Sequence, residues 1–120
     1  MTASTRSLEL AQIAAKAASD KLGENIVALD VSEVFPLADI FVFASSRNDR
    51  QTPAIADEIA DKFLEAGVKL LRIEGKAGGR WILMDFGDII CHVMHEEDRM
   101  FYSVERLWKD GVPVQLDIEQ

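Results

Sequence analysis

Asp85, Asp88, His92 and His95, between Gly78 and Trp108, are of the types that hold metals or move protons. A two-residue turn at Gly87-Asp88 sets their geometry, because Gly supplies the positive φ that the first turn position needs. Phe86 then lies opposite Ile89, Leu83 opposite His92 and Trp81 opposite Met94. Side chains alternate across a strand, so His92 and His95, three apart, face opposite sides and cannot share one ion. Asp85 and His92 do share a face as diagonal neighbours, and a hydrogen-bonded Asp–His pair is the expected arrangement, ahead of a metal site. Such a pair could serve acid–base chemistry, but no nucleophile stands beside it. Ser45 and Ser46 close a strand before a helix yet lack the glycines of a nucleophile elbow. The loop Gly75–Gly79 leads into a strand without a GK[ST] motif, so a hairpin connection is expected there and not a phosphate cradle. Two further aromatics, Trp81 and Tyr102, have no comfortable place in a core. Beside Asp85 and His92 they suit the centre of a protein-binding patch, with the rings as anchors.

The hairpin that positions these groups sorts its side chains into two faces. Ile82, Met84, Phe86, Ile89, Cys91 and Val93 make one apolar face, expected to be core. Trp81, Leu83, Asp85, Ile90, His92 and Met94 make the other, expected to carry function. Cys91 is the only cysteine. On the apolar face it is a small core residue, which leaves no disulfide and no cysteine-based metal site.

The 120 residues suit one domain, read as 1–120 with a core over about 7–110. With 48% hydrophobic residues and a mean hydropathy of +0.02, the composition is that of an ordinary globular protein. A net charge of −8 would repel a phosphate backbone, so little or no direct nucleic-acid binding is expected. The same charge suits a basic protein partner. No apolar run approaches the ~20 residues of a membrane span and no signal-peptide core is visible, so a cytoplasmic protein is expected.

Along the chain, Leu8, Ala11, Ala15, Ala18 and Leu22 recur at helical spacing over Ser4–Leu22, with Gly23 as a left-handed stop. Ile26–Val31 reads as a strand, Ser32–Ala38 as a connection around Pro36, and Asp39–Ser45 as a central strand that is apolar on both faces. The next helix has two possible starts: a capping box from Asn48 to Gln51, or Thr52 as cap with Pro53 at the first helical position. Ile55, Ile59 and Phe63 form its stripe and Gly67 ends it. Val68–Ile73 reads as a third strand, before the glycine loop and the hairpin. Asp98 can cap a last helix in which Phe101, Val104, Leu107 and Trp108 share a face, and the tail from Val112 either pairs at an edge or frays. The fold class is therefore α/β (α+β), with a mixed sheet of about five strands and flanking helices.

The segments ALDVSEVFPLADIFVFASSRNDRQTPAIADEI and EGKAGGRWILMDFGDIICHVMHEEDRMFYSVERLW, in this order, resemble the Iojap family of ribosomal silencing factors. The likeness runs over roughly residues 7–110. Its most specific parts are Ala38–Val42, the serines leading to Arg50-Gln51, Glu74-Gly75 with Trp81–Asp85, and His92 with Arg99–Tyr102 and Glu105–Trp108. Pro53, early in a helix, departs from the pattern. The resemblance implies a fold related to nucleotidyltransferases without their catalytic motif, and this chain lacks a Gly-Ser pair followed by Asp-x-Asp. It further implies a translation repressor, not an enzyme, that needs no cofactor and is a homodimer when free. Such a repressor binds the large ribosomal subunit through its protein number fourteen and blocks joining of the small subunit when nutrients are scarce. The contrasting reading is a nucleotide-binding or nucleotidyltransferase-like enzyme. Under the silencing reading Trp81 and Tyr102 are the anchors, Asp85 meets a Lys or Arg, and His92 orients Asp85 or the Tyr102 region. Asp39, Arg50 and Arg99 are secondary candidates, Arg99 more as an internal ion-pair partner.

Overall fold

The apolar run expected to be central forms β2 (Ile40–Ser46), which is buried at every position. It lies between β1 (Glu24–Asp30), antiparallel to it, and β5 (Ile89–His95), parallel to it. A strand with neighbours on both sides and layers on both faces must be apolar throughout, and IFVFA meets that requirement. In a computed structural model that describes residues 2–102, 106 and 109–118, the side chains of Phe101 and Tyr102 excepted, the chain builds a six-stranded mixed sheet. Its remaining strands are β3 (Arg72–Glu74), β4 (Trp81–Asp85) and β6 (Val112–Val114), in the order β3-β4-β5-β2-β1-β6. The sixth strand is the tail, which pairs through Val112–Val114 with Ala28–Asp30. Gln12 holds the residues beyond it, since its amide donates to the Gln115 carbonyl at 2.7 Å and accepts from Asp117 N–H at 2.8 Å.

Two helices, α1 (Thr5–Asp20) and α2 (Gln51–Glu65), pack on one face of the sheet over Ile26, Ala28, Ile40, Val42, Ile82, Met84, Ile89, Cys91 and Val93. The alanines of α1 (Ala11, Ala14, Ala15, Ala18) are fully buried, so that helix lies close to the strands. Leu8 and Leu22, expected on the buried stripe, are exposed; Leu10 and Ser7 are buried in their place. The helix stop also differs from expectation. The left-handed residue is Leu22 (φ 64), not Gly23. Leu22 N–H reaches the Ser19 carbonyl and Gly23 N–H the Ala18 carbonyl, so the two orphan carbonyls of the last turn are satisfied. Glycine is needed at 23 for space: a Cβ there would meet the Ala18 carbonyl oxygen at 2.9 Å.

Helix α2 begins at Gln51 behind Arg50, which makes no side-chain cap bond, and of the two expected starts the contacts favour the turn at Asn48. Its Oδ1 accepts from Gln51 N–H at 2.9 Å, and Gln51 Oε1 accepts in return from Arg47 N–H at 2.7 Å. Pro53 therefore sits inside the first turn, where no N–H is required. Gly67 ends α2 with φ 85, as expected. The third strand is shorter than the apolar run Val68–Ile73 suggests, because pairing with β4 starts only at Arg72 and leaves Leu71 exposed.

The loop before β4 closes tightly on the strand. Gly75 has φ 82, and a Cβ on it would lie 2.0 Å from the carbonyl oxygen of Trp81. Gly75→Ala is therefore expected to lower unfolding stability by more than about 2 kcal/mol, from left-handed strain and backbone overlap together. Gly67→Ala carries the same strain but meets nothing within 4 Å, and is expected to cost about 1 kcal/mol. Urea unfolding of the two variants checks the difference. Equal losses would mean that the loop gives way without cost.

Candidate functional site: the second face of the sheet

The hairpin has the register expected from its turn, with Trp81 opposite Met94, Leu83 opposite His92 and Asp85 opposite Ile90. The second face of the sheet carries Leu29, Phe41, Phe43, Ile90 and Met94, with Val27, Phe35, Trp81 and Leu83 packed against them, and no residue of α1 or α2 belongs to this layer. A third helix, α3 (Glu96–Tyr102), follows β5 directly and reaches this face through Arg99. Along β4 the side chains of Trp81, Leu83 and Asp85 stand half-exposed side by side. β3 extends the strip with charge, because Arg72 lies opposite Asp85 and Glu74 opposite Leu83 and cross-strand partners share a face. An apolar pair bounded by Asp85, Arg72 and Glu74 has the anatomy of a small protein interface, with an apolar middle and a polar rim.

His92 lies under this strip. Its ring stacks on Phe43 at 4.9 Å and 14°, meets Phe41 edge-on at 5.5 Å, and is only 8% exposed. Burial among aromatic rings disfavours the charged form and lowers the imidazole to a pKa of about 4. In the neutral ring Nδ1 accepts the indole N–H of Trp81 at 3.3 Å, so the proton resides on Nε2. The expected Asp85–His92 pair does not form. Asp85 Oδ1 instead accepts from the Gly87 N–H at 2.8 Å, a contact two residues away that fastens the hairpin turn.

The other residues singled out from the sequence lie apart from this strip. Arg99 is buried, donating to Ser45 Oγ at 2.8 Å and to the Asn25 carbonyl, with its guanidinium 6.0 Å from the Phe43 ring. It anchors α3 from inside. Asp39 is on the side that carries α1: its Oδ2 accepts from Ser7 Oγ at 2.8 Å and Ser4 N–H at 3.1 Å and so pins that helix's first turn. Arg50 is exposed at the entry to α2, and its neighbour Asp49 is bridged at 3.7 Å to Arg80, the residue before Trp81. The helical backbone of Tyr102 is described, but the expectation for its ring, like that for Val104, Leu107 and Trp108, falls outside the described residues.

Sequence reasoning put Leu83 on the functional face but missed Arg72 and Glu74 beside it. The β3–β4 register that aligns them has no turn signature in the chain. It also missed Arg80, which gathers Asp98 at 2.6 Å, Glu97 at 3.6 Å and Asp49 and so ties α3 to the start of β4. Cys91 is fully buried and its thiol is pushed up by that burial, which makes it a core residue. His95, on the opposite side from His92, caps α3 by accepting the Glu97 N–H. Among the described residues no three His, Cys, Asp or Glu side chains are grouped to hold a metal, and no helix is long and apolar enough to cross a membrane.

Comparison with known proteins adds to this geometry. A family model described as "Ribosomal silencing factor during starvation" matches residues 4–120. The chain is 41% identical over 106 residues to ribosomal silencing factor RsfS of Bacillus subtilis, covering 88% of this chain and 90% of that one. It is 38% identical over 109 residues to the protein of that name from Halalkalibacterium halodurans, covering 91% and 93%. A crystal structure of a protein from Chromobacterium violaceum superposes with a TM-score of 0.82 at 33% identity, covering 92% of each chain.

Proposed function

The chain belongs to the ribosomal silencing factor family, and from that membership we propose that it is a translation repressor that acts by docking and not by catalysis. The partner is the large ribosomal subunit, contacted through its protein number fourteen on the face that receives the small subunit. The bound repressor prevents the two subunits from joining. One observation supports putting the interface on β4: the strip Trp81–Leu83–Asp85 is half-buried on the sheet face that α1 and α2 leave uncovered. A half-buried Trp brings a large apolar area at little conformational cost, which suits an anchor. Asp85 keeps one oxygen beyond its turn contact for a Lys or Arg, and the net charge of −8 favours approach to a basic partner. Tyr102, on α3, is the second anchor. When free, the protein is a homodimer.

Co-sedimentation with purified large subunits, followed by addition of small subunits, tests the reading. The expected result is stable binding to large subunits and a fall in the joined-ribosome peak that depends on protein concentration. Absence of binding, or binding with unaltered joining, would overturn it.

A further inference from the structure

The half-exposed position of Trp81 raises the question of what holds its ring in one orientation. An indole on a sheet face has rotamers to choose from, and each one lost on docking weakens binding. The structure supplies a restraint behind it. His92 is clamped by Phe43, stacked at 4.9 Å, and by Phe41, edge-on at 5.5 Å, so the imidazole plane cannot turn. Its Nδ1 faces the indole N–H of Trp81 at 3.3 Å across a directly adjacent strand. The chain continues inward, because the Arg99 guanidinium covers the Phe43 ring and joins it to α3. The arrangement is an aromatic stack that ends in one fixed acceptor aimed at the half-exposed indole.

We propose that His92 is a positioning residue, which fixes the Trp81 indole in its docking orientation before the partner arrives and does not itself touch the partner. The inference rests on Trp81 being an anchor of the docking face. It assigns His92 a different role from that of a partner to Asp85 or Tyr102, and its whole effect on binding passes through Trp81.

The test combines affinity for purified large subunits with the indole N–H resonances of ¹⁵N-labelled protein, the Trp81 signal being assigned by its loss in Trp81→Phe. His92→Phe keeps an aromatic ring and removes the acceptor; His92→Leu is the replacement should Phe not fold. His92→Gln keeps an acceptor. In the acceptor-free variant the Trp81 indole proton is expected to move upfield and affinity to fall about fivefold to tenfold, the size of one lost hydrogen bond. His92→Gln is expected to recover most of both. In a Trp81→Phe background the His92 change is expected to have no further effect on affinity, since the only route is gone. An unmoved indole signal, an unchanged affinity in the acceptor-free variant, or additive losses in the double variant would each overturn the proposal. If Trp81→Ala itself binds as wild type does, the docking reading falls and takes this inference with it. A loss in Trp81→Ala beside wild-type affinity in the His92 variant sinks the inference alone.

Discussion

Trp81→Ala is expected to weaken association with the large ribosomal subunit by about thirtyfold to a thousandfold, the range for a central aromatic anchor worth about 2–4 kcal/mol. The indole is the largest side chain on the β4 strip, and Leu83 stands between it and the charged residues of the rim. Truncation removes most of the apolar area available to a partner and leaves Leu83 without its neighbour. The cost to the fold is smaller, because the ring is half-exposed and the Met94 side chain opposite it is buried by other neighbours of the second layer. Leu64→Ala, on the exposed back of α2, is the control and is expected to bind as wild type does. Circular dichroism and a melting curve establish that the Trp81 variant is folded. A folded variant within twofold of wild-type affinity would move the interface off β4.

The hairpin that presents Trp81 was legible because two independent signals agree: a Gly-Asp turn and an unbroken alternation on either side of it. β2 was legible for a related reason, since a run apolar at every position can only be central. The rest depended on contacts between segments distant in sequence. Local propensity favours Gly23 over Leu22 as the left-handed residue, and the structure reverses that choice where Gly23 packs close to Ala18. Val68–Ile73 is apolar enough for a strand, yet only Arg72–Glu74 forms one with β4, and the pairing begins with the Leu71 N–H on the Asp85 carbonyl. The sixth strand consists of three residues around a proline, and its place was set by the free edge of β1.

The candidate site divides in the same way. That Trp81, Asp85 and His92 share a face followed from strand geometry alone. Which of them touch did not, because both Asp85 and Trp81 were within reach of His92. Two short-range effects decided it: an amide two residues on took the Asp85 carboxylate, and the aromatic packing of β2 turned the imidazole toward the indole. Arg99 was expected to be internal, and it is. The acceptors seen for it are a hydroxyl at the end of β2 and a main-chain carbonyl at the bend of β1 near Asn25.

The burial of His92 also makes the stability of the fold depend on pH. The imidazole is held neutral with a pKa of about 4 in the folded protein against the ordinary 6.5 of an exposed imidazole, so the unfolded chain binds the proton first. As pH falls below about 6.5, each unit favours the unfolded state by about 1.4 kcal/mol, until the folded protein also takes up the proton near pH 4. Unfolding stability is thus expected to drop by about 3 kcal/mol between pH 7 and pH 4 from this group alone, with about 1 kcal/mol of it lost by pH 5.5. The contacts seen for the ring do not offset the charge: Phe41, Phe43 and Trp81 pack against it, and protonation of Nδ1 would set two N–H donors face to face. Asp30 does not confuse the comparison. Burial raises its carboxyl, but hydrogen bonds from Ser32 and Ala3 outweigh that and hold it below 3.8, so its contribution is lost only as pH falls through lower values. Urea unfolding at pH 7, 6 and 5.5 for wild type and His92→Gln separates the group from the background of surface carboxylates. The difference between the two proteins is expected to shrink by about 1 kcal/mol over that range, because only wild type carries the titrating ring. Parallel stability curves would mean that the imidazole is hydrated in the folded state and free to take up its proton, and the aromatic clamp around it would then be open.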